Sequence, residues 1–217
     1  TDMGSTLVML QTNSNQPFIF SSPRLREQIG ASFEITLLSR WVKEVAFDMK
    51  LPSMSTSEEG KKALPASFWV SDSSGKVIVR FTESDGDPEK LARQLIREVT
   101  LRALTDAPGL DVTGVFIEAS SNTVDAGDLN ALDGVFLKYS LNRRPALARF
   151  PQFPFLIRAD ESALPASAAL SDEELDSIRE YASRSLEVPV LSDDEGQVPT
   201  QTGKDKDRSL SLPARVK

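Results

Sequence analysis

Two stretches of apolar residues at helical spacing, each lying between β-prone runs, restrict this chain more than any other feature. The first runs Leu25, Ile29, Phe33, Leu37, Trp41 and Val45, with Leu38 and Val42 beside them; the second runs Leu91, Leu95, Ile96, Val99, Ala103 and Leu104. Each reads as one broad apolar face of a helix. Ser22-Pro23 and Asp87-Pro88 open them in the same way, with a capping side chain followed by proline at the first helical position. Residues 7–12 and 18–20 read as strand ahead of the first helix. Residues 52–66 are polar and proline-bounded and read as a loop. Residues 67–81 read as a β-hairpin: Phe68 and Val70 lead in, Ser73-Ser74-Gly75 turn, and Val77, Val79 and Phe81 alternate with Ile78 and Arg80. Ala107-Pro108-Gly109 stops the second helix, and a β-branched strand covers 111–119. The order strand, helix, strand, strand, helix, strand predicts an α+β, ferredoxin-like fold, an antiparallel sheet with two helices on one face.

Beyond this core, residues 126–142 read as a helix carrying Leu129, Leu132, Phe136, Leu137 and Tyr139. Residues 149–170 are extended and punctuated by proline. Ser171 with Glu174 three residues on is a capping box that opens a helix to about 187. From Ser192 the chain is polar and charged and reads as a disordered tail or a linker. The expected organisation is a core over 1–125, a helical extension packed on it over 126–191, and the tail over 192–217.

The 217 residues, 40% apolar and 26% charged, suffice for one domain with a real core. No run reaches the length of a membrane helix and the first residues lack the layout of a signal peptide, so the chain reads as cytoplasmic and without a membrane partner. The absence of Cys excludes disulfides and thiolate catalysis, and the absence of His removes the commonest general base and zinc ligand. The formal charge of −7 argues against broad binding to nucleic acid, which needs clustered cations.

The junction between the first strand and the first helix, "QTNSNQPFIFSSPRLREQIGAS", is crowded with amides and hydroxyls, and its first acid is Glu27. It resembles the corresponding passage of palm-domain proteins of the nucleotidyl-cyclase and polymerase kind, related to the large subunit of type III CRISPR effectors. "SSGKVIVRF" with "APGLDVTGVFIEA", and "ARFPQFPFLIRADESALPAS", fit the same group in the same order, so the resemblance covers about residues 7–170. It implies a palm that uses carboxylates to hold Mg²⁺ or Mn²⁺ against a nucleoside triphosphate, one at the end of the first strand and others in the hairpin turn, so that the metals lower the pKa of a 3′-hydroxyl and neutralise pyrophosphate. This chain departs from that pattern. The strand end reads Gln11-Thr12-Asn13 and the turn reads Ser73-Ser74-Gly75-Lys76. The remaining acids near those places are Asp72 and Glu118, which an active enzyme would use; no metal site is expected from the chain alone.

The candidate nucleotide-binding residues are therefore Gln11, Asn13, Asn15, Gln16, Arg24, Arg26, Ser73, Ser74, Gly75 and Lys76. Each has a plainer reading. Ser74-Gly75-Lys76 can bind phosphate through backbone N–H groups and an ammonium, or be a solvated turn; it is not a P-loop, since the upstream glycine and strand-to-helix context are missing. Arg24 and Arg26 can hold a triphosphate or pair locally with Glu27. The amides can read a base edge or close turns. Gly30-Ala31-Ser32 leaves room for a backbone or a ligand to approach. Arg143, Arg144 and Arg149 can touch nucleic acid or terminate a helix. Phe150, Phe153 and Phe155 read as a strap packed on the domain or a protein-binding edge.

These readings predict a catalytically degenerate palm that binds a nucleotide or pairs with a second palm, as homodimer or heterodimer, in a prokaryotic antiviral or nucleotide-signalling system. The alternatives are an active cyclic nucleotide synthase using NTPs and divalent metal, and an interaction scaffold without ligand.

Overall fold

The computed structural model of the protein describes residues 4–56, 62–119, 123–144, 146–150, 153–160, 162, 164–186, 208 and 210–217. It is a mixed α/β structure around a four-stranded antiparallel sheet. The strands are β1 (Ser5–Asn13), β4 (Trp69–Ser73), β5 (Lys76–Thr82) and β6 (Asp111–Glu118), in the order β4-β5-β1-β6. The helices are α1 (Asn15–Ile19), α2 (Leu25–Asp48), α3 (Pro88–Asp106), α4 (Ala126–Leu141), α5 (Asp172–Leu186) and α6 (Leu212–Val216); two-residue strands β2 (Ser55–Thr56) and β3 (Lys62–Ala63) pair inside the stretch expected as a loop. The chain divides into two compact units, residues 1–15 with 33–146, and residues 16–32 with 147–217.

In the first unit β1 is an inner strand, in keeping with its run Leu7-Val8-Met9-Leu10, which is buried on both faces. Met9 stands between Ile78 and Val115, and Leu10 between Val77 and Gly114. Alternation sends Leu7, Met9, Ile78 and Val115 to one face, where Leu132 of α4 completes a cluster with Leu129 and Phe136 around it. The other face takes Val8, Leu10, Val77, Val79 and Phe81, all buried, against α3. Gly114 allows that contact, since a Cβ there would stand 2.7 Å from the Ile96 side chain. The Arg93 guanidinium lies 4.9 Å from the Phe116 ring centroid. Helix α2 reaches the hairpin through Ser39, whose hydroxyl donates to the Asp72 carboxylate at 2.8 Å, and Glu44 of α2 receives Arg102 of α3 at 2.7 Å. The sheet is therefore covered on both faces, α4 lying opposite the side that α3 occupies.

Several expectations are corrected. Residues 18–20 do not continue as strand: Ser14 takes a positive φ of 53° directly after β1 and α1 begins at Asn15, burying Phe18. The stripe of α2 does not face one core. A strict four-residue spacing drifts about 40° per step, so Leu25 and Val45 lie about 200° apart around the helix; Leu37, Trp41 and Val45 are buried while Leu25 and Ile29 are 71% and 62% exposed. The first compact unit runs on through α4 to residue 146.

In the second unit, α5 starts as its capping box predicts. Ser171 donates from its backbone N to the Glu174 carboxylate at 2.7 Å, and the Glu174 N–H returns a bond to the Ser171 hydroxyl at 3.2 Å. The stretch read as tail ends in structure: Leu210, Pro213 and Arg215 are buried. Arg215 donates to the carbonyls of Ser167 and Arg208 at 3.0 and 2.9 Å. The Lys217 ammonium donates to the Phe18 carbonyl and the Ser21 hydroxyl, both at 2.8 Å. The room left by Gly30 is taken by the Lys217 main chain. The earlier part of the expected tail, 192–207, lies outside the described residues.

Candidate functional site

Because β1 pairs with β5 on one side and β6 on the other, its carboxyl end gathers side chains from distant parts of the chain. Gln11 stands opposite Lys76 and Thr113, and Asn13 opposite Asp111. Paired residues share a face, so Gln11, Asn13, Lys76, Asp111 and Thr113 point to the α4 side. There the Asn13 amide donates to the Thr113 hydroxyl at 2.9 Å. Arg143, just past the end of α4, turns inward and pairs with the Asp111 carboxylate and the Thr113 hydroxyl. Lys76 pairs with Asp133 of α4 at 2.9 Å. The result is a polar basin of amides, a hydroxyl and two ion pairs where the apolar cluster of Leu7, Met9 and Leu132 gives out.

The hairpin turn borders this basin and is locked to β1. The Thr12 N–H donates to the Gly75 carbonyl at 2.8 Å and its hydroxyl donates to the same oxygen at 3.2 Å. Gly75 has φ +77°, and a Cβ on it would lie 2.6 Å from the Thr12 hydroxyl and 3.2 Å from Ile35. The left-handed backbone and the crowded Cβ position call for glycine here without any ligand. The Ser73 hydroxyl donates to the Lys76 carbonyl at 3.0 Å, closing the turn, while Ser74 is exposed at its tip.

The ten candidate binding residues are thus not one cluster. Gln11, Asn13 and Lys76 come together. Asn15 lies with Thr12 and Ile35 beside Gly75, on the opposite face of the sheet. Gln16, Arg24 and Arg26 belong to the second unit, where Arg24 pairs with the buried Glu27 at 3.2 Å, the local pairing that the sequence left open. Asp72 and Glu118 are also apart. They sit on the two edge strands, three strand spacings or about 14 Å across the sheet, and at opposite ends of it. Together they cannot hold one metal centre. Among the described residues no three acidic side chains converge as metal ligands.

Asp111, Thr113 and Asp133 escaped the sequence reading, and Arg143 was read only as part of a basic group. The signal that finds Asp111 and Thr113 is register: once "DVTGVFIEA" is laid antiparallel on "TLVMLQTN", Thr113 and Asp111 fall beside Gln11 and Asn13. Among the described residues no helix is long and apolar enough to cross a membrane. Compared with protein-family models and with curated proteins, the chain matches none.

Proposed function

We propose that the sheet unit is a ferredoxin-like palm of the nucleotidyl-cyclase and polymerase kind that has lost its own metal carboxylates and binds a nucleotide, or pairs with a second palm across the same site, in a prokaryotic antiviral or nucleotide-signalling system. One observation carries this reading: the end of β1 and the turn between β4 and β5 are bonded to each other, the side chains around them are Gln11, Asn13, Ser73, Lys76 and Arg143, and the acids beside them, Asp111 and Asp133, are engaged in ion pairs with Arg143 and Lys76. In an active palm these two places carry the acids that hold divalent ions. Amides and cations there suit triphosphate oxygens and a base edge in place of two metals. The separation of Asp72 from Glu118 supports the loss of catalysis by this chain alone.

The scaffold reading is favoured by a different observation, that Lys76 and Arg143 already have carboxylate partners in Asp133 and Asp111. A nucleotide must compete with both. Thermal unfolding with millimolar NTPs and cyclic nucleotides, with and without Mg²⁺ or Mn²⁺, decides between them. A rise in Tm that Lys76→Gln abolishes is the expected result, and no rise with any nucleotide favours the scaffold. Steady release of pyrophosphate with Mn²⁺ overturns the degenerate reading in favour of an active synthase.

A further inference from the structure

Helix α4 is apolar on two sides. Leu129, Leu132 and Phe136 face the sheet. At 100° per residue, Asn130, Gly134, Leu137 and Leu141 form a stripe about 60° wide on the far side. Leu137 and Leu141 are 60% and 77% exposed, and nothing stands within 4 Å of where a Gly134 Cβ would project. A helix lying on a core carries polar residues on that side.

The stripe has the four-three-four spacing of a coiled-coil seam, with Gly134 and Leu141 at position a and Asn130 and Leu137 at position d. In that frame Asp133 falls at g and Lys138 at e, five residues later. In a parallel pair of helices g of one faces the following e of the other, so Asp133 and Lys138 meet across the seam twice. In an antiparallel pair like positions face like positions and this complementarity is lost. Asp133 uses Oδ1 for Lys76 and has Oδ2 left for a partner.

We infer that α4 is a self-association surface: two copies of this chain pair through their α4 helices, in parallel, about a two-fold axis along them. Leu137 and Leu141 meet their counterparts, Gly134 lets the backbones approach, and Asp133 of each copy pairs with Lys138 of the other. This goes beyond the reading above, in which a second palm would share ligand across the basin, and holds whether or not the basin takes a nucleotide. A helix of 16 residues is about 24 Å long and covers less than the roughly 800 Å² per partner of a standard stable interface, so the dimer is weak and reversible.

Sedimentation velocity of the full chain over a concentration series into the high micromolar range tests it. The expected result is a monomer–dimer equilibrium that Leu137→Asp abolishes with unchanged circular dichroism. Asp133→Lys and Lys138→Glu each weaken association about tenfold, as attraction becomes repulsion at two symmetric sites, and the double variant Asp133→Lys/Lys138→Glu recovers it. A monomer at every concentration, a dimer indifferent to Leu137→Asp, or no recovery in the double variant overturns the proposal. Nucleotide titrations on Leu137→Asp, whose altered side chain points away from the basin, test the earlier reading separately.

Discussion

At Gly75 one residue joins two requirements, a left-handed backbone and a Cβ position already occupied by Thr12 and Ile35. Gly75→Ala meets both penalties, and about 1–3 kcal/mol of stability should be lost, read as a lower urea midpoint with unchanged slope. Arg143 poses a different test. Its side chain is 14% exposed and that of its partner Asp111 only 6%. Arg143→Ala takes the cation from a buried carboxylate, which in such pairs costs about 3–5 kcal/mol. The companion Asp111→Asn should lessen the penalty of a following Arg143→Ala in a double-mutant cycle. Additive losses would mean that the two side chains do not depend on each other. Neither residue announced its role in the sequence: Gly75 read as a turn that could cradle phosphate, and Arg143 as a cation at a helix end.

Among the elements, those set by neighbours in sequence were legible and those set by distant packing were not. The hairpin, α3, α4 and α5 each carry their own signals in a turn glycine, a cap or a periodic stripe, and they lie close to where those signals put them. The start of α2 misled because a four-residue spacing looks continuous in sequence yet turns steadily around the helix. Residues 18–20 misled because Phe18-Ile19-Phe20 is β-prone locally, while burial of Phe18 in α1 decides the outcome. The polar basin was half legible. Gln11, Asn13 and Lys76 stood out by type, whereas Asp111, Thr113 and Asp133 enter through strand register and helix packing over separations of 57 to 100 residues.

The capping box of α5 makes a prediction at this same scale. Hydrogen bonds from the backbone and then the side chain of Ser171 hold the Glu174 carboxyl below its usual range. A group with a depressed folded-state pKa adds stability that is present above its unfolded pKa and disappears as pH falls through the folded one. The start of α5 should therefore keep its helical amide shifts from neutral pH down through the ordinary glutamate range and unwind only below it. Ser171→Ala should move the midpoint of an NMR titration of Glu174 upward. A wild-type midpoint at the usual glutamate value would rule out the box in solution.

For the whole molecule the question is how an acidic chain, at −7, would retain a polyanionic ligand. The basin offers two cations, each already neutralised by an aspartate, so affinity rests on exchanging one set of charge-assisted bonds for another. Such an exchange is sensitive to salt at the exposed Lys76–Asp133 pair and less so at the buried Arg143–Asp111 pair. A nucleotide at 100 times its Kd should stabilise the protein by about 2.7 kcal/mol. That gain should shrink with added salt in the wild type and vanish in Lys76→Gln. Calorimetric scans at several ionic strengths provide the check.

The bond from the Asn13 amide to Thr113 also bears on what a carboxylate at position 13 would meet. An aspartate at position 13 would reverse that bond, accepting from the Thr113 hydroxyl, and its second oxygen would stand near the Asp111 main-chain carbonyl, which the amide now approaches at 3.5 Å. On the reading proposed above, a carboxylate restored at the tip of β1 would therefore meet Arg143, already shared by Asp111 and Thr113, before any divalent ion.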